Sequence, residues 1–131
     1  MDLLFLQPSR FTPDIRLSTT EKILSFKGRS SPENALMFYE KVYAAIDQYM
    51  KESNTLKVKF MFEYFNTSSS KCLFEIFKKL KNYLGEGKNI VIDWIFEEDD
   101  DDMMETGEDF ADIIGVDVNF VEVEDIEEIA A

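Results

Sequence analysis

The fold is decided by the stretch "TLKVKFMFEYFNTSSSKCLFEIFKKL", residues 55–80, in which a strand pattern changes into a helix pattern. Apolar residues alternate from position 56 to position 64, which predicts a strand over 55–65 with Tyr64 on its buried face and Phe65 on the other. From about Thr67 to Leu84 the apolar residues recur at helical spacing. The stretch therefore predicts a strand and an amphipathic helix, joined by a run of four hydroxyl residues.

Further strand and helix patterns alternate on both sides of this unit. Strands are predicted over 3–6, 14–17, 22–28, 89–97 and 116–123, and further helices over 32–52 and from the acidic run after residue 97. Ser31 suits the cap of the helix over 32–52, and Met103, Phe110, Ile113 and Ile114 form the apolar side of the acidic helix. The acidic tail from about residue 124 is expected to fray.

This alternation predicts one α/β domain spanning residues 1–131, with a mixed, mainly parallel sheet and about three helices. Polar residues on the second face of the central strands indicate a sheet face that is partly open to water. These residues are Lys57, Lys59, Glu63 and Asp93.

The charge balance restricts the class of partner. The chain has 27 acidic and 14 basic residues, for a net charge of −13. Phosphate backbones and anionic membranes would repel such a chain, so we expect a protein partner with a basic surface, and neither nucleic acid nor membrane. An acidic mimic of DNA fits less well, because its charge would be spread over the whole surface.

The cysteine count and the N-terminus point to the cytoplasm. Cys72 is the single cysteine, so no internal disulfide can form, and we expect it to be a small buried core residue. The N-terminal apolar run of four residues is too short for a signal peptide or a membrane span. No cofactor motif is found, and we expect no cofactor.

The hydroxyl run has two interpretations. It follows a strand and opens a helix, so Asn66 or Thr67 could cap the helix while Ser68, Ser69 and Ser70 fill its first turn. Capping explains one or two such residues but does not require four. Alternatively, one hydroxyl accepts a phosphate, because free N–H groups and the helix dipole favour an anion there. With no histidine to activate a nucleophile, the chain resembles a kinase substrate more than an enzyme.

The acidic block "EEDDDD", residues 97–102, should lie at the same sheet edge as the hydroxyl run, because both follow parallel strands. It lacks the alternating ligand positions of a calcium loop, so a metal site is the weaker interpretation. The block could instead dock a basic partner and repel a nearby phosphate, which would loosen the local structure. Its residues are Glu97, Glu98, Asp99, Asp100, Asp101 and Asp102.

Four segments resemble the SiaC family of bacterial regulatory phosphoproteins, which are related in fold to the STAS-like anti-sigma-factor antagonists. They are "TPDI" (12–15), "GRSSPENA" (28–35), "EYFNTSSSKCL" (63–73) and "EEDDDDMMETGEDF" (97–110), and they occur in family order over nearly the whole chain. Ser31 departs from the family pattern, which has a tyrosine before "PEN".

The resemblance implies a non-enzymatic switch protein with a STAS-like fold. By motif match, Thr67 is the residue phosphorylated by a dedicated Ser/Thr kinase and dephosphorylated by a PP2C-type phosphatase. The unphosphorylated form is expected to bind an effector and activate it, and the expected effector is a diguanylate cyclase. Two alternatives stay open: an anti-sigma-factor antagonist in a partner-switching circuit, and an acidic metal-binding or interaction protein.

Overall fold

The computed structural model describes residues 2–129, which form six strands and three α-helices. The strands are β1 (Asp2–Leu6), β2 (Asp14–Ser18), β3 (Ile23–Ser30), β4 (Thr55–Phe65), β5 (Asn89–Glu97) and β6 (Asn119–Val123). The helices are α1 (Ala35–Glu52), α2 (Thr67–Gly85) and α3 (Asp101–Ile114), and a short 3-10 helix spans Ile126–Glu128.

All six strands form one sheet in the order β1-β2-β3-β4-β5-β6. Strands β3 to β6 are parallel, whereas β2 is antiparallel to both of its neighbours. Because the spatial order follows the chain order, right-handed crossovers put all three helices on one face. The predicted mixed, mainly parallel α/β sheet is confirmed.

The core between the helices and the sheet is built on aromatic side chains from the central strands. Phe60 of β4 stacks on Phe26 and on Phe77 of α2, each with ring centroids 5.0 Å apart. Trp94 of β5 is 1% exposed and meets Phe110 of α3 edge-on at 5.8 Å. Each such side chain contributes about 1.5–3 kcal/mol through burial, so this cluster fixes the helices over β4 and β5.

The end of β4 differs from the predicted alternation because the strand contains a bulge. Gly28 lies opposite Phe62 and Arg29 lies opposite Tyr64, so Glu63 has no partner on β3. The extra residue reverses the side chains that follow. Tyr64, predicted to be buried, is 43% exposed, whereas Phe65, predicted on the other face, packs edge-on against Trp94.

Two helix predictions need correction. Helix α1 begins three residues later than expected, because Asn34 rather than Ser31 is its cap and accepts a hydrogen bond from the Met37 N–H at 3.1 Å. Ser31 instead donates its backbone N–H to the Phe11 carbonyl. In α3, Met103, Phe110 and Ile114 are buried as predicted, but Ile113 is 70% exposed because it lies outside the stripe that they form with Gly107.

The second face of the sheet is partly open, as predicted, but the acidic tail is not frayed up to residue 129. Ile126 is 1% exposed and packs with Met61 and Ile95 on that face. Its N–H donates to the Glu97 carboxylate at 3.0 Å, and the Lys27 ammonium donates to carbonyl groups of the same C-terminal segment. Residues 130 and 131 of the predicted tail lie outside the described residues. The predicted strand over 116–123 begins only at residue 119.

Candidate functional site

The candidate site lies at the edge of the sheet where the parallel strands β3, β4 and β5 end. Asn66 follows β4 directly, and its N–H donates to the carbonyl of Ser30, the last residue of β3, at 3.0 Å. The Asn66 backbone is extended, and its side-chain oxygen accepts the Ser69 N–H at 2.8 Å. Asn66 is therefore the cap that begins α2, as the sequence predicted for this residue or its neighbour.

The structure separates the four hydroxyl residues into different environments. Ser69 is fully buried, and its Oγ lies 2.8 Å from Ser30 Oγ, which in turn lies 2.6 Å from the Tyr39 hydroxyl. Burial raises the pKa of Tyr39 above its ordinary value, so the phenol stays protonated and can donate a hydrogen bond within this row of three hydroxyl groups. Ser69 thus ties the first turn of α2 to β3 and α1.

Thr67 and Ser68 are exposed, and Ser70 is half-buried. Thr67 is the first residue of α2, and no hydrogen bond from its hydroxyl to any of residues 2–129 is found. The first N–H groups of a helix also lack partners within the helix. The exposed Thr67 hydroxyl is therefore accessible to a modifying enzyme, whereas that of Ser69 is not.

The acidic block lies at the start of α3, on the strand next to β4. Asp100 caps this helix by accepting the Met103 N–H at 3.1 Å, and Glu97 holds the C-terminal segment through Ile126. The other four residues, Glu98, Asp99, Asp101 and Asp102, are exposed. Four of the six predicted docking residues are thus at the surface, and two stabilise the fold.

No arrangement typical of a metal site is found in the described part of the chain. Residues 2–129 contain no group of three or more cysteine, aspartate or glutamate side chains placed to hold one ion. Within the same residues, no hydrogen bond or ion pair joins the hydroxyl run to the acidic block. The two groups thus share an edge of the sheet without direct polar contact.

Negative charge is already crowded at this edge. Burial raises the pKa of the Glu63 carboxyl, and the neighbouring carboxylates of Glu127 and Glu97 raise it further, while Arg29 acts in the opposite direction. A carboxyl group whose pKa is raised by folding favours the folded state in acid, and that contribution is lost as the pH rises through the folded-state pKa. At neutral pH these carboxylates therefore oppose one another.

A groove of about 490 Å³ runs between the first halves of α1 and α2. Tyr43 lies along it and donates its hydroxyl to the Cys72 carbonyl at 3.0 Å. Cys72 itself is 6% exposed, which confirms the prediction of a buried core cysteine. The α2 side of the groove is formed by Ser68, Lys71, Cys72 and Glu75.

The sequence interpretation missed Ser30, Tyr39 and Lys71. Tyr39 falls in the apolar stripe of α1, and a buried tyrosine hydroxyl requires a hydrogen-bond partner, which was the available signal. Ser30 could not be assigned from the sequence, because its role depends on the pairing of β3 with β4. Lys71 is exposed on α2, and the sequence alone does not distinguish it from Lys78, the next exposed lysine of that helix.

Comparison with known proteins identifies the family. The model of the SiaC family, described as regulatory phosphoproteins, matches residues 6–123. The chain belongs to the SiaC family. No curated protein sequence matches it significantly.

Solved SiaC structures share the fold. Apo-SiaC from Pseudomonas aeruginosa has a TM-score of 0.85 and 22% sequence identity, over 92% of this chain and 98% of that one. A structure of the diguanylate cyclase SiaD in complex with its activator SiaC, also from Pseudomonas aeruginosa, matches with a TM-score of 0.86 and 21% identity, over 92% of this chain and 99% of that one. The chain is thus a member of a regulatory phosphoprotein family with the SiaC fold.

Residues 2–129 contain no helix that is both long and apolar enough to cross a membrane.

Proposed function

We propose that this SiaC-family chain acts as a non-enzymatic, cytoplasmic switch whose state is set by phosphate on Thr67. The observation that carries the proposal is the exposure of the Thr67 hydroxyl at a capped helix start, beside a serine that is fully buried. The modification would be added by a Ser/Thr kinase and removed by a PP2C-type phosphatase. The whole chain, residues 1–131, would act as one regulatory domain.

The unphosphorylated form would bind and activate an effector. Membership of the SiaC family favours a diguanylate cyclase as that effector. The SiaC structure in complex with the cyclase SiaD, for which it is the activator, supports this choice. A phosphate adds nearly two negative charges to an edge that already carries the acidic block. Binding of the effector would therefore be sensitive to phosphate at this position.

The exposed residues of the acidic block would be part of the docking surface for a basic partner. Glu98, Asp99, Asp101 and Asp102 face solvent, and the net charge of −13 favours a partner of opposite sign. Neutralising these four side chains should weaken binding of the kinase or of the effector and reduce its dependence on salt. Equal affinities of the neutralised and wild-type chains for both partners would contradict the docking role.

The switch can be tested by capture of partners from the host lysate on wild-type, Thr67→Ala and Thr67→Glu chains. We expect the wild-type and alanine chains to capture a diguanylate cyclase and the glutamate chain to bind it at least tenfold more weakly, because added charge disfavours docking. Thr67→Gln is the matched control, since it has the size of the glutamate without the charge, and it should capture the cyclase as the wild-type chain does.

Mass spectrometry of the chain after incubation with its kinase identifies the modified residue. Phosphate on Ser68 or Ser70 instead of Thr67 would contradict the assignment. Capture of an anti-sigma factor by the wild-type chain would replace the cyclase as the effector. Capture of the same proteins by all three chains would leave Thr67 as a structural residue only.

A further inference from the structure

The four lysines of α2 differ in what they contact. Lys78 pairs with Glu75 at 3.1 Å, Lys79 pairs with Asp47 at 2.8 Å, and Lys81 donates to the Ile114 carbonyl. Lys71 is exposed, and no carboxylate within 4.0 Å of its ammonium group is found among residues 2–129. Among the four, the lysine closest in sequence to Thr67 is thus the one whose ammonium group has neither a carboxylate nor a carbonyl partner within residues 2–129.

The nearest carboxylate on the same helix does not bind Lys71. Glu75 lies four residues after Lys71, which is a spacing that allows an ion pair, but its carboxylate is bound to Lys78 instead. The first turn of α2 contains no acidic residue. Lys71 also lines the groove between α1 and α2, so open space surrounds its side chain. An anion placed in that first turn would be the available partner for this lysine.

Thr67 and Lys71 are separated by one helical turn on the same side of α2. Residues four apart on a helix have their Cβ atoms about 5–6 Å from each other, and an anion on the N-terminal side of the cation is the favourable order. We propose that Lys71 is the chain's own partner for phosphate on Thr67. This inference rests on the proposed function, since it concerns the phosphorylated state of the same site.

The pairing has a structural consequence. An ammonium group that contacts the phosphate offsets, at short range, the repulsion from the acidic block on the neighbouring strand end. Phosphorylation would then leave the first turn of α2 folded and would draw Lys71 toward Thr67. The phosphorylated state is therefore a defined surface with an ion pair at the rim of the groove, and not a locally melted helix.

The phosphate itself reports on this pairing. A neighbouring cation favours the doubly charged phosphate and so lowers its second pKa, which is about 6 for an unperturbed phosphoamino acid. Phosphothreonine is incorporated at position 67 during synthesis of the full chain, and its ³¹P chemical shift is titrated in wild type, Lys71→Gln, Lys71→Arg and Lys78→Gln. The last variant is the matched control, because Lys78 is an exposed lysine of the same helix with another partner.

We expect Lys71→Gln to increase the proton affinity of the phosphate roughly twofold, as an exposed pair at this spacing predicts. Lys71→Arg should restore the wild-type value, and Lys78→Gln should not change it. Equal titration midpoints for wild type and Lys71→Gln would overturn the inference.

Effector binding, measured on the same samples, separates this inference from the proposed switch. Wild-type phosphorylated chain that still binds the effector would contradict the switch, whatever the titration shows. Loss of the effector from the phosphorylated chain, with no response of the phosphate to Lys71, would leave the switch intact and exclude the lysine.

Discussion

The starts of α2 and α3 lie at the same edge of the sheet and have the same kind of capping hydrogen bond, but they carry different charges. Asn66 accepts the Ser69 N–H at 2.8 Å, and Asp100 accepts the Met103 N–H at 3.1 Å. The first turn of α3 then contains Asp101 and Asp102, whereas the first turn of α2 contains no acidic residue. Both helix starts favour negative charge, but only that of α3 carries it permanently.

This difference favours α2 over α3 for the proposed phosphate switch. A hydroxyl residue at the start of a helix is uncharged, and phosphorylation would add negative charge there reversibly. The same modification at the start of α3 would meet the repulsion of four exposed carboxylates. The two starts are also fixed to the sheet differently: α2 through the buried hydroxyl chain of Ser69, and α3 through Trp94, which donates its indole N–H to the Met103 carbonyl at 2.9 Å.

The largest effect is expected where α3 packs on the sheet. A Cβ atom on Gly107 would lie 2.6 Å from Nε1 of Trp94, which is almost fully buried and cannot move aside. Gly107→Leu should therefore lower the free energy of unfolding by about 2–3 kcal/mol, the upper part of the usual range of roughly 1–3 kcal/mol for overpacking. Urea denaturation measures this loss.

Gly85→Ala is the control for Gly107→Leu, because a Cβ atom at Gly85 meets no atom within 4 Å. We expect its unfolding midpoint to be close to that of wild type. A Gly107→Leu chain as stable as the Gly85→Ala chain would show that α3 is not held against Trp94 in this way.

A smaller loss is expected when the corresponding anchor of α2 is removed. Ser69→Ala deletes the hydroxyl that joins Ser30, while Ser30 keeps its contact with the Tyr39 hydroxyl. The expected cost is about 1 kcal/mol, the net value of one buried hydrogen bond. Thermal unfolding of Ser69→Ala and of Ser68→Ala, which alters an exposed hydroxyl, separates the two serines. Equal melting temperatures would contradict the anchoring role of Ser69.

The sequence predicted the elements and their shared edge, because hydrophobic periodicity and the common direction of parallel strands are local and general signals. It did not predict which hydroxyl residues would be buried. That outcome depends on the pairing of β3 with β4 and on the position of Tyr39, which are contacts between residues far apart in the chain. The bulge at Glu63 was missed for the same reason, since a two-residue alternation contains no sign of an inserted residue.

The C-terminal segment illustrates a second limit of prediction from the sequence. Its acidic composition indicated a frayed tail, but Ile126 docks it on the open sheet face beside Met61 and Ile95, with Val123 and Ile129 packed against them. The polar contacts to Glu97 and Lys27 then hold a segment whose own sequence has little helix or strand pattern. Composition describes the average property of such a segment, whereas its position is decided by a few side chains and their partners.

The smallest effect tests the comparison most directly, through exchange of the two caps. Asn66→Asp keeps the accepting oxygen and places a charge at the uncharged start of α2, so it should stabilise the chain by about 0.3–1 kcal/mol through the helix dipole. Asp100→Asn loses the same interaction at α3 but relieves repulsion within the acidic block, so its net effect should be close to zero. Thermal unfolding in low salt measures both, and about 1 M salt, where the screening length is about 3 Å, should remove the gain from Asn66→Asp. Changes of equal size and opposite sign at the two caps would mean that the two helix starts are electrostatically alike, and that the absence of acidic residues at α2 is not what suits it to the proposed phosphate.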